Sequence, residues 1–128
     1  MENPTIESRK TYEVAHKHNK PIIVMEPVKG GNLVKLPADA QKAFDEVNQA
    51  ENTHMSNASY AIRYAAGNEN VAVVLSGMSN MEQMRDNVSY MKDFKPLTDT
   101  EKAAIDKVVD VFNHLNMIDC TSCHYCTQ

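Results

Sequence analysis

All three cysteines of this 128-residue chain fall in its last nine residues, "CTSCHYCTQ". Cys120, Cys123 and Cys126 form a C-x2-C-x2-C run. Thiolates two residues apart on a short loop can reach neighbouring corners of one iron–sulfur cluster. The full spacing for [4Fe–4S] binding is C-x2-C-x2-C-x3-C-P, and its fourth cysteine would fall two residues beyond Gln128. Zinc is the competing metal, since three cysteines and a histidine are a common tetrahedral set. His124 lies between two of the cysteines and would strain to join them, so His114 or His16 would have to complete the set. A reduced tail without metal stands level with a metal-bound one in this chain, because one ligand is lacking.

The second stretch with chemical potential is "VVLSGMSNMEQMRDNV". An apolar strand ends at Ser76-Gly77, and a helix with capping-box spacing, Asn80 to Gln83, starts three residues later. Backbone N–H groups at such a start favour an anion by ~0.3–1 kcal/mol through the helix dipole. Gly77 lets a ligand come close to the backbone. Gln83, Asp86 and Asn87 fall within about one turn and offer hydrogen bonds to a ribose or adenine. Periodicity alone favours a plainer reading, a capped helix carrying solvated polar residues.

Composition narrows the class of protein. Hydrophobic residues make up 42% and charged residues 23%, as in ordinary globular domains. A chain of this length is one domain or a piece of one, and it can bury roughly two-thirds of its unfolded surface. The formal charge of −4 and the lack of a basic run argue against a nucleic-acid or anionic-membrane partner. No apolar stretch approaches a bilayer span, and the start "MENPTIESRK" has no signal-peptide centre. Few, clustered cysteines agree with a reducing cytoplasm.

The elements that must position these residues follow from patterning. Asn3-Pro4 is expected to cap and open a first helix, with Thr11, Val14, Ala15 and His18 on one face. Ile22 to Met25 is short, mostly β-branched and unbroken by polar residues, a strand expected to be buried on both faces. A loop at Gly30-Gly31 follows, then a helix from about Ala38 with Ala40, Ala43, Phe44 and Val47 inward. The next helix presents Ala58, Ala61, Ile62 and Ala65 and stops at Gly67. Val71 to Leu75 repeats the buried-strand pattern. A helix from Asn80 comes next; after Pro96 a second capping box, Thr98 to Glu101, opens a last helix with Ile105, Val108, Phe112 and Leu115 inward. Strands alternating with helices predict a parallel α/β arrangement. Two strands leave open edges that another part of a larger barrel, or another chain, must cover.

With the elements in order, the chain resembles the aldo/keto reductases, a (β/α)8-barrel family. The strand, the glycine and the helix bearing "EQMRDN" are similar to the family's eighth-strand segment, which holds the adenine and 2′-phosphate of NADPH. "VMEPVKGGNL" resembles the seventh strand and its loop, and "SNASYAIRYAAGNENVAVVLSGM" the helix and strand between, with Ala61-Ile62-Arg63-Tyr64 in a typical place. The match runs from about Arg9 to Asn87. It agrees with the usual phosphate site after strands seven and eight of such barrels.

The resemblance implies that Gly77, Ser79, Gln83, Asp86 and Asn87 contact the cofactor, with Glu26, Pro27 and Gly30 lining the pyrophosphate side. Many members place a cation around this loop, whereas Gly77-Met78-Ser79-Asn80 and Gln83 supply none and Arg85 should point elsewhere. The cofactor is therefore NADP or NAD. The family's catalytic Asp, Tyr, Lys and His come from strands in the first half of the barrel, which have no counterpart here. Tyr60, Tyr64, His54 and His114 sit in no matching motif and are assigned no catalytic role. A subgroup of the family carries a ferredoxin-like extension, which the order of barrel end, helix and cysteine run resembles.

The expected fold is α/β, a partial (β/α)8 (TIM) barrel of the last two strand–helix units. Residues 1–95 would be the end of the barrel, 96–118 a linking helix, and 119–128 a truncated iron–sulfur tail. The expected function is the adenosine end of a nicotinamide cofactor site in a cytoplasmic oxidoreductase acting on a carbonyl substrate. The [4Fe–4S] cluster would serve an electron-transfer partner, and the chain by itself would be inactive. Two alternatives stand beside it: a self-associating cofactor-binding or electron-transfer module, and a structural zinc- or partner-binding domain.

Overall fold

The computed structural model describes residues 7–115. The chain folds as α1 (Ser8–Lys17), β1 (Ile22–Val24), a 3-10 turn (Lys29–Gly31), α2 (Ala38–Ala50), α3 (Asn57–Ala66), β2 (Val71–Val74), α4 (Met81–Met91) and α5 (Asp99–His114). The expected order of helices and strands is therefore found, and the two strands are parallel neighbours. Their register pairs Ile22 with Val71, Ile23 with Val73 and Val24 with Val74, so Ala72 is an extra residue on β2. Two parallel strands joined through helices are compatible with part of an α/β barrel.

The core lies among the helices. Ala40, Ala43, Phe44 and Val47 of α2 are buried, the face its 3.6-residue spacing predicts. They pack with Tyr60 of α3 and with Ala104 and Val108 of α5. The rings of Phe44 and Tyr60 stack with centroids 4.1 Å apart, an arrangement that adds ~0.5–1.5 kcal/mol beyond burial. Tyr60 is 1% exposed, and its hydroxyl donates to Asn48 Oδ1 at 3.1 Å.

An ion pair locks α5 to α3. Arg63 Nη1 and Nη2 donate to the two carboxylate oxygens of Glu101 at 2.6 and 2.9 Å, with both side chains buried. Two further donors go to the carbonyls of Lys95 (3.0 Å) and Pro96 (3.2 Å). Glu101 also closes the expected capping box, accepting from Thr98 N–H while Thr98 Oγ accepts from Glu101 N–H. One carboxylate thus starts α5 and fastens it to α3.

Four expectations are corrected. Helix α1 begins at Ser8 after Glu7 in a left-handed conformation, and the expected Asn3-Pro4 cap lies outside the described residues. None of its residues is buried, and Val14 is exposed; α1 is held through Tyr12 and His16, which bond Glu69 at 3.2 and 2.7 Å. On α3 the inward residues are Ser59, Tyr60, Ile62 and Arg63; Ala58, Ala61 and Ala65 are only partly covered. Leu115 is exposed, and Ala104 takes an inward place on α5. The strands are not buried on both faces: Ile23, Met25, Val73 and Leu75 are 61, 72, 44 and 49% exposed. Alternation along paired strands puts these four on one side of the sheet. That side is an open apolar surface.

Candidate functional site

The segments that follow β1 and β2 meet at the C-terminal ends of the strands. After β1 the backbone turns sharply, with Glu26, Lys29, Gly30 and Gly31 all at positive φ. Gly31, at φ +93, lies where a side chain is strained, so the glycine is demanded by the turn. After β2 the chain passes Ser76 and Gly77 and enters α4 at Asn80. Asn80 Oδ1 accepts from Gln83 N–H at 2.9 Å, and Gln83 Oε1 reaches back to Ser79 N–H at 2.7 Å. The capping box is thus displaced by one residue, since Gln83 satisfies Ser79 instead of Asn80.

Between the two segments lies a groove of about 660 Å3. Glu26, Pro27 and Gly30 line one side, and Gly77, Gln83, Asp86 and Asn87 line the other. Ser79 is not among the lining residues, and its N–H is already taken by Gln83. A methyl group added at Gly77 would meet nothing within 4 Å, so the space before its backbone is open. The helix start offers an anion less than expected: Ser79 and Gln83 N–H are engaged, and Glu82 puts negative charge in the first turn.

Two hydrogen-bond chains fix the acidic and amide groups of α4. Ser56, the N-cap of α3, donates to Asp86 Oδ2 at 2.6 Å. Asn87 Nδ2 donates to Ser76 Oγ at 2.8 Å, and Tyr90 Oη donates to Asn87 Oδ1 at 2.5 Å. Burial, reinforced by the nearby Asp86 charge, pushes the Tyr90 hydroxyl well above its ordinary pKa and keeps it a donor.

The chain places further residues in the groove that its pattern did not single out. Lys35 lines it from the loop after β1, and Ser56 from the start of α3. Ser56 had a local signal, as a serine just before a helical run. Lys35 had none, since only the fold brings it opposite α4. Arg85 does not line the groove, as expected.

The sequence model of the aldo/keto reductase family matches residues 3–110. The chain belongs to the aldo/keto reductase family. Comparison with curated proteins and with solved structures gave no match. Aldo/keto reductases are oxidoreductases of TIM-barrel fold that generally use NAD(P)H on carbonyl substrates. The match extends into α5 as far as Asp110, and α5 shares the core of α2 and α3.

Tyr60, Tyr64, His54 and His114 do not line the groove. Tyr60 is in the helical core, and burial together with the Glu101 charge raises its hydroxyl to about 12. Tyr64 and His54 are exposed, and His114 Nδ1 lies 2.7 Å from the Asp110 carbonyl. Cys120, Cys123, Cys126 and His124 lie outside the described residues, and with them the expected cluster. Among the described residues no group of three metal-ligating side chains converges, and no helix is long and apolar enough to cross a membrane.

Proposed function

We propose that this chain is the C-terminal part of an aldo/keto-reductase-like oxidoreductase and holds the adenosine end of its nicotinamide cofactor. The observation that carries the reading is the groove itself. Seven of the eight residues implicated by sequence line it, from two segments more than forty positions apart. Its size suits a nucleoside, and cofactor sites in such barrels lie at this end of the strands. Asp86 offers a carboxylate oxygen and Asn87 an amide N–H side by side, matching the amino donor and N7 acceptor of adenine. Gly77 admits the nucleotide close to the backbone. Lys35 supplies the cation that the turn from β2 into α4 lacks, facing the cofactor's phosphates. When bound, the cofactor supplies hydride; this chain binds and orients its adenosine half.

In this reading residues 1–95 are the end of the barrel, 96–118 the following helix and 119–128 the start of a [4Fe–4S] motif. The acid that protonates the carbonyl oxygen belongs to other strands, so the isolated chain binds cofactor without turnover. Calorimetric titration with NADPH, NADH and nicotinamide mononucleotide tests this. Binding of both dinucleotides without the mononucleotide is expected. Binding of the mononucleotide alone, or of none of the three, overturns it. For the tail, iron and sulfide content with a visible absorbance band after anaerobic purification is the direct test.

A second reading draws on the open sheet face. Ile23, Met25, Val73 and Leu75 would be covered by a second copy if the chain acts as a self-associating cofactor-binding module. Sedimentation at micromolar concentration separates the two, a stable dimer favouring self-association.

A further inference from the structure

The hydrogen-bond chains around the groove involve two residues that the motif after β2 does not account for, Ser56 and Tyr90. Tyr90 does not line the groove; its hydroxyl is buried and directed at Asn87 Oδ1. Ser56 serves α3 as N-cap, accepting from Ser59 N–H at 3.1 Å, and uses its own proton on Asp86.

These bonds decide what each α4 group can offer a ligand. An amide presents either oxygen or nitrogen to a neighbour, and both faces are nearly the same shape. The 2.5 Å contact with Tyr90 is too short for N–H···O and fits O–H···O, while the 2.8 Å contact with Ser76 fits an amide donor. The oxygen of Asn87 is therefore turned away, and its second N–H remains for the groove. Asp86 has one oxygen held by Ser56 and one left to accept. The pair reads as one donor beside one acceptor.

We propose that Tyr90 and Ser56 are positioning residues that hold Asn87 as a donor and Asp86 as an acceptor, so that the groove selects adenine from other bases. The inference rests on the proposed reading of the groove and goes beyond it by naming the residues that set base choice. Adenine offers N7 to the Asn87 donor and its amino group to the Asp86 acceptor. Hypoxanthine keeps N7 but presents a carbonyl oxygen to Asp86. A 7-deaza adenine keeps the amino group but removes the acceptor for Asn87. Without Tyr90 the Asn87 amide is free to turn its oxygen outward, and without Ser56 the Asp86 carboxylate is free to swing.

The test titrates the full chain with adenosine monophosphate, its 7-deaza analogue and inosine monophosphate, followed by NMR. The wild-type protein is expected to prefer the first over each of the others by about fivefold, the scale of one hydrogen bond. Tyr90→Phe should erase discrimination at N7 while keeping that against inosine. Ser56→Ala should do the reverse, and Ser56→Thr, which restores a hydroxyl, should recover it. Variants that weaken all three nucleotides equally would show a merely structural role and overturn the proposal. Should a variant fail to fold, equal wild-type affinity for adenosine monophosphate and its 7-deaza analogue overturns it without any substitution. No binding of adenosine monophosphate would instead overturn the reading of the groove, and this inference with it.

Discussion

The helical side of the molecule and its sheet side are finished to different degrees. Around α2, α3 and α5, apolar side chains are buried, Phe44 stacks on Tyr60, and Arg63 and Glu101 satisfy one another. No buried side-chain polar atom among the described residues lacks a partner. On the sheet side, four apolar residues face outward from the strands. Along α4, Met81, Met84, Val88 and Met91 form an exposed stripe at spacings of three and four. The helical side supplies its own stability. The sheet side carries the groove beside an exposed apolar surface.

The contrast is broken most severely at the buried ion pair. Arg63→Ala leaves Glu101 charged and buried and removes donors from two carbonyls, so urea unfolding should show a loss of about 3–5 kcal/mol. A loss under 1 kcal/mol would mean that α5 is not fastened as described.

The next effect is alkaline. Tyr60 has its folded-state pKa raised from 10.0 to about 12, chiefly by burial and then by the Glu101 charge. A raised pKa means that the folded state holds the proton more tightly. The associated stability is complete below pH 10 and is lost as the pH rises from 10 towards 12, on the order of 2 kcal/mol. Denaturation midpoints measured from pH 8 to 11 should fall in that upper range, and Tyr60→Phe should lessen the fall, leaving the part that the likewise raised Tyr90 contributes.

The smallest effect belongs to the open face. Ile23→Thr should change the stability of the isolated chain by no more than about 0.5 kcal/mol, because most of Ile23 is already in water. A loss of 2 kcal/mol would show that this face is covered in solution, as self-association requires.

Legibility from sequence divides along the same line. The α2 face was readable because Ala40, Ala43, Phe44 and Val47 stand out against Asp39, Lys42, Asp45 and Glu46. The α3 face was not, because alanines on one side carry little signal and a buried arginine on the other reads as solvated. What buries Arg63 is a glutamate 38 positions later, a tertiary fact no local pattern holds. The strands looked doubly buried because runs of Ile and Val suit a covered sheet, whereas Ile23 and Val73 are largely exposed. At the groove, Gly77, Gln83, Asp86 and Asn87 were legible through strand–turn–helix order and family resemblance. Lys35 and Tyr90 were not, since one arrives by loop geometry and the other acts from behind.

The role proposed for the groove is to bind the adenosine half of a nicotinamide cofactor. Backbone amide NMR of the full chain titrated with NADPH addresses it most directly. Shifts are expected to concentrate at Gly30, Lys35, Gly77, Gln83, Asp86 and Asn87, with α2 and α5 unmoved. Shifts centred on the open face of Ile23 and Val73, or none at millimolar cofactor, would contradict it.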